Sequence, residues 1–208
     1  MIAYKFLAPG AVSPFSGVAW PPPSGTSPGA WVAASPGQEL WIHGCRPADL
    51  PYWIDAELWR VELSDPARPV RHEVQAERAR LLGRIEAWGL ASRREFTLHC
   101  ALRTAGYAAE ALRKEGLDSE ARTLSSCETV GDVAAAVDAV KSRSLPDRCR
   151  QLLGYCGDAA IWSGIGDARC VPYIASIAAA DLRQDPAATE EERDWQARWL
   201  CQRLDIPS

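Results

Sequence analysis

Apolar and polar positions alternate with a period of two along the first part of the chain and take on a helical period beyond about residue 92. The clearest alternation lies at residues 56–63. Leu58, Arg60 and Glu62 point one way and Trp59, Val61 and Leu63 the other, which predicts a half-buried strand. Ile2–Leu7, 30–34 and 39–45 read as further strands. Residues 71–88 read as two strands around a turn, with a helix as the alternative for the later part. The stretch VAWPPPSGTSPGAW is a loop, because three consecutive prolines cannot share a central strand.

The pattern changes near residues 88–92. Ser92 has the character of an N-cap for a helix closing at Gly116, with Phe96, Cys100, Ala101, Tyr107, Ala108 and Leu112 at helical spacing. Residues 130–143 are Ala-rich and helical. Pro146 suits the opening of the next helix, and Pro172 is tolerable in the first turn of another. Thr189 and Glu192 have the spacing of a capping box, and Trp195, Trp199 and Leu200 share a face with Leu204. The expected fold is α+β: a β-rich head over 1–90, followed by an all-helical bundle over 91–208.

Composition narrows the setting. Eleven of the 15 prolines fall at or before Pro69, as do five of the nine tryptophans, which fits short strands joined by rigid turns. The net charge of -4 leaves no basic footprint for nucleic acid. The N-terminal MIAYKFLAPG has no long apolar core of a signal peptide, and no apolar run reaches the roughly 18 residues of a membrane span, so a soluble cytoplasmic protein is expected. The seven cysteines, an odd number at wide spacing without a CxxC pair, are expected to be reduced and mostly packed in the core.

Candidate chemistry concentrates in QELWIHGCRPADLPYW. His43 and Cys45, two apart on a strand, point to one face and offer an imidazole and a thiolate. Zinc needs about four ligands, or three plus water. His72, His99 and Cys100 supply no second half-site spacing, so zinc is not expected. A Cys–His nucleophilic pair is disfavoured by the approach geometry, both here and at His99–Cys100. The run after Cys45 has a structural reading of its own. Pro47 suits the first position of a short helical turn, Asp49 meets its dipole and Pro51 limits its length.

Three segments, AYKF, WIHGCRPADLPYW and RHEVQA, follow one another in an order that resembles the ADP-ribosyltransferase-like superfamily. The resemblance covers about the first 88 residues and none of the helical half. It implies that Tyr4 or Lys5 sits on a first strand, where the family carries Arg or His. His43 would contact the nicotinamide ribose of NAD, and Glu73 would orient a ribose hydroxyl. A carboxylate beside an oxocarbenium-like ribose is sound chemistry for glycosidic cleavage. Trp41, Tyr52 and Trp53 would supply aromatic walls for the nicotinamide, although core packing explains such residues equally well. Two functional readings follow: a nucleotide- or NAD-handling transferase with His43, Glu73, Lys5 and Tyr4 at its centre, or a non-catalytic protein-binding, accessory or immunity-type module.

Overall fold

A computed structural model describes residues 1–33 and 41–207. The expected strands at 30–34 and 39–45 therefore lie partly outside the described residues. The fold is α+β, with strands between residues 2 and 84 and helices between 90 and 204. No helix among the described residues is long and apolar enough to cross a membrane.

Seven described strands build two antiparallel sheets. β1 (Ile2–Leu7), β4 (Glu57–Leu63), β7 (Arg78–Arg84) and β2 (Val32–Ala33) lie side by side in that order. β3 (Ile42–Gly44), β6 (Glu73–Ala76) and β5 (Arg68–Val70) form the second sheet. A backbone bridge between Tyr4 and Cys45 joins the two. The predicted inner face of β4 is buried as expected, through Trp59, Val61 and Leu63, which pack with Ala3, Leu7, Val74, Ala79 and Leu81. Leu58, on the opposite face beside Arg60, is buried as well.

The two strands expected in 71–88 are present, but they do not form a hairpin. Only Glu77 separates β6 from β7, too short a link for the chain to fold back. β6 therefore pairs with β3 and β7 with β4, so the chain passes from one sheet to the other. The hairpin is instead β5–β6, which the alternation did not reveal. Pro69 sits in β5, and it is tolerated because β5 is an edge strand.

The helices are α1 (Leu90–Lys114), α2 (Asp118–Ser125), α3 (Val130–Lys141), α4 (Asp147–Gly164), α5 (Cys170–Arg183) and α6 (Ala187–Leu204). By compactness the chain forms two units, Met1–Gly89 with Ala197–Ser208, and Leu90–Gln196. In the second unit α1 is the central helix, with α2, α3, α4 and α5 against it. Its core is alanine-rich, with Leu112, Leu124, Leu152, Leu153 and Leu182 among the larger side chains. Small side chains let helix axes approach closely.

Two local expectations are corrected. Ser92 is not an N-cap: α1 starts at Leu90, and Ser92 is buried in its first turn. Thr189 and Glu192 do not form a capping box, because α6 starts two residues earlier and Asp185 accepts from the Ala187 N–H instead. A true capping box closes the start of α3, between Thr129 and Asp132. The buried seam of α6 runs through Glu192, Gln196 and Leu200 to Leu204, leaving Trp195 and Trp199 half-buried at its margin. Its polar members, Glu192 and Gln196, are not legible from hydrophobicity alone. Glu192 takes a forked pair of bonds from Arg103, 2.9 and 2.5 Å, and one from the Tyr107 hydroxyl. Gln196 donates to the Pro172 carbonyl at 2.9 Å.

Candidate functional site

The site begins at the end of β3. Gly44 separates His43 from Cys45 because a Cβ there would lie 3.1 Å from the Ala3 Cβ and 3.3 Å from the Tyr4 carbonyl oxygen. Without that side chain, β3 approaches β1 closely enough for Tyr4 and Cys45 to exchange backbone hydrogen bonds of 2.9 and 2.7 Å. The Cys45 thiol is buried, and burial pushes it up to about 12, so it stays protonated at neutral pH and is a poor nucleophile.

β6 runs antiparallel to β3 with Gln75 opposite His43. Glu73, two residues away, shares the face of Gln75 and stands diagonally across from the imidazole. His43 Nδ1 donates to Glu73 Oε2 at 2.6 Å, and Gln75 Nε2 donates to Glu73 Oε1 at 2.6 Å. Both carboxylate oxygens are thus held, and the imidazole is oriented by its Nδ1.

Lys5 joins them from β1. Strand parity places it between Ala3 and Leu7, both buried in the apolar core. Its ammonium donates to the His43 carbonyl at 2.7 Å and lies 5.2 Å from the centre of the Trp20 ring. Burial pulls its pKa down to about 8, against the opposing pull of the Glu73 carboxylate. Tyr4 has the other parity. It is buried, and desolvation raises its hydroxyl above the ordinary value.

The RPADLPYW run supports the hairpin that carries Glu73. Pro47–Tyr52 forms a short 3-10 helix with Pro47 in its first turn and Asp49 buried. Arg46 donates to Asp49 at 2.5 and 3.2 Å and reaches the Arg71 carbonyl at 2.8 Å. Arg71 occupies the left-handed region, φ 50°, at the turn between β5 and β6. The Trp53 indole donates to the next carbonyl, that of His72, at 2.6 Å. Tyr52 stacks on the His72 ring at 3.7 Å. Arg46, Tyr52 and Trp53 therefore clamp two consecutive turn residues just ahead of Glu73.

A loop between β1 and β2 supplies the opposite wall. Glu57 anchors it, accepting from the Gly10 and Ala11 N–H groups at 3.1 and 3.0 Å and from the Trp59 indole at 3.1 Å. Ala11 adopts φ 57°. Trp20 is fixed by its backbone N–H to the Ala11 carbonyl and by its indole to Ser13 Oγ, 2.8 Å. At the tip, Phe15 is 90% exposed.

Together these elements enclose a cavity of about 540 Å³. Of the residues singled out in the sequence, Tyr4, Lys5, Trp41, His43, Cys45, Trp53 and Glu73 line it. Tyr52 is not among the lining residues, because its ring is engaged with His72. Trp20, Phe15 and the positioning residues Gln75 and Glu57 were not anticipated. Trp20 belongs to an aperiodic Pro-rich stretch, and Gln75 is recognisable only once the strand register is known. His99 and Cys100, the other candidate pair, lie on α1, with His99 exposed and Cys100 buried. Among the described residues no group of three or more His, Cys, Asp or Glu gathers where it could hold a metal ion.

Comparison with protein-family models, curated proteins and solved structures returns no match. The site offers an amine, an imidazole–carboxylate pair and aromatic surface in one cavity, a combination suited to binding a small polar ligand and moving protons on it.

Proposed function

We propose that the β-rich unit handles a nucleotide, with NAD as substrate and transfer of its ADP-ribose portion as the reaction. The observation that carries this reading is the His43–Glu73 pair, 2.6 Å apart, in a cavity of about 540 Å³ that Trp20, Trp41 and Trp53 also line. Cleavage of the nicotinamide–ribose bond develops positive charge on the ribose. The Glu73 carboxylate stabilises that charge or orients a ribose hydroxyl, and His43 contacts the nicotinamide ribose. The indole rings supply flat apolar surface for the base. The order of the three strand segments, resembling ADP-ribosyltransferase-like proteins, supports the same assignment.

NAD added to the intact chain raises the melting temperature under this reading. His43→Ala and Glu73→Gln each abolish NAD binding or turnover while moving the melting temperature of the free protein little. The reading fails if NAD gives no shift and no heat on titration, or if both variants lose stability without any ligand effect.

A second reading, a non-catalytic protein-binding or accessory module, has an observation of its own. Ile161 and Ile165, at the end of α4, and Tyr173, in α5, are all exposed on the helical unit. Under that reading His43→Ala and Glu73→Gln affect stability alone.

A further inference from the structure

Inward-facing strand positions beside Ala3 and Leu7 call for apolar residues, and a charge placed there is costly unless it is paired. Lys5 occupies such a position. Among the described residues its ammonium forms no ion pair; its contacts are one backbone carbonyl, that of His43, and the face of Trp20. The groups that face it are Glu73 from β6, His43 from β3 and the Cys45 thiol that follows β3. It lines a cavity in which an oriented imidazole is also present. The other two lysines differ. Lys114 pairs with Glu110 and Lys141 with Asp138, and both are exposed.

We propose that Lys5 is a carbonyl-capturing amine, which condenses with the aldehyde or ketone of a small ligand in this cavity to form an imine. The inference goes beyond the NAD reading and shares with it the cavity and the His43–Glu73 pair. Burial holds the amine near 8, so an appreciable fraction is free base at neutral pH. The nitrogen lone pair attacks the carbonyl carbon, and the carbonyl π electrons move to oxygen. One proton passes from nitrogen to that oxygen, giving a carbinolamine. A second proton, delivered by the His43–Glu73 pair, lets the hydroxyl leave as water while the nitrogen lone pair forms the C=N bond. The proton remaining on nitrogen returns to the pair. Amine and carbonyl compound become imine and water, with no oxidant or reductant required. The tryptophans and Phe15 favour a carbonyl carried on an aromatic or apolar body.

The test uses benzaldehyde as the probe on the full chain, with cyanoborohydride to trap the imine and peptide mapping by mass spectrometry to locate it. At neutral pH, Lys5 is expected to be benzylated at least about ten-fold faster than Lys114 and Lys141. The Lys5 rate should be half-maximal near pH 8. Lys5→Arg, which keeps the charge and a donor for the His43 carbonyl, loses the fast site and leaves the slow ones unchanged. Labelling of Lys5 no faster than of the two exposed lysines overturns the proposal. NAD titration is run separately. Fast Lys5 labelling without NAD binding removes the nucleotide reading alone, whereas NAD binding with a slow Lys5 removes the amine chemistry alone.

Discussion

Lys5 is the residue at which local pattern and surroundings disagree most. Its neighbours on β1 require an apolar side chain, yet it carries a charge, and burial lowers its pKa from 10.5 to about 8. The folded protein thus binds this proton more weakly than the unfolded chain. Between about pH 8 and 10.5 the unfolded chain carries more protons, so stability rises with pH across that window and the whole penalty is present below it. The shift corresponds to about 3 kcal/mol. Lys5→Met should therefore be more stable than the parent at neutral pH by about 2 kcal/mol, once the lost bond to the His43 carbonyl is subtracted. The variant should also lose the alkaline rise. Urea unfolding at neutral and alkaline pH measures both, and a Lys5→Met protein less stable at neutral pH would contradict the placement of Lys5 in the apolar face.

At the scale of elements, the position of β3 against β1 depends on Gly44. A methyl group there meets Ala3 and the Tyr4 carbonyl within 3.1–3.3 Å, and the backbone cannot give way without disturbing the Tyr4–Cys45 bridge. Gly44→Ala should cost about 1–2 kcal/mol in a denaturant titration, and it should weaken ligand binding further by moving His43 away from Glu73. In the helical unit, the α6 carboxylate of Glu192 is fully buried and bound by Arg103 and Tyr107 of α1. Removing it leaves a guanidinium without its partner. Glu192→Ala should lower stability by about 3 kcal/mol, measured by the same titration, while a surface change such as Glu191→Ala should have little effect. The first of these contacts was partly legible: His-Gly-Cys signals a strand end. The second was not, because Glu192 reads as part of a solvated helix face until its partners on α1 are known.

Across the whole molecule, burial sets the reactivity of the thiols. Cys45, Cys100, Cys149, Cys156 and Cys201 are buried, and only Cys127 and Cys170 are half-exposed. Burial raises all seven above the ordinary thiol value. No more than these two should react with a thiol reagent in the native protein, and all seven should react in denaturant. Rapid native labelling of Cys45 or Cys201 would show that the β-rich unit is more open than described. Cys201 belongs to that unit although it follows the helical bundle in sequence, because residues 197–208 pack with Met1–Gly89. A linear division of the sequence places those residues with the helices that precede them. The chain's return is decided by long-range packing, which leaves no local mark.

Periodicity determined the α+β class, the exact span of β1, the inner face of β4 and the change of character near residue 90, because a strand or helix imprints its own repeat on the residues that it buries. The tertiary structure decided which strands are neighbours. Sequence order could not show that β6 leaves β7 to pair with β3, that Gln75 steadies Glu73, or that the loop bearing Trp20 forms a wall beside Lys5. Those relations join residues as far apart as 5 and 43, or 43 and 73, and they arise from strand register and chain reversal. The same physics governs α6. Glu192 and Gln196 sit on its buried face because the groups they meet on α1 and α5 are polar, and a partner on another helix is invisible to the spacing of a helix read alone.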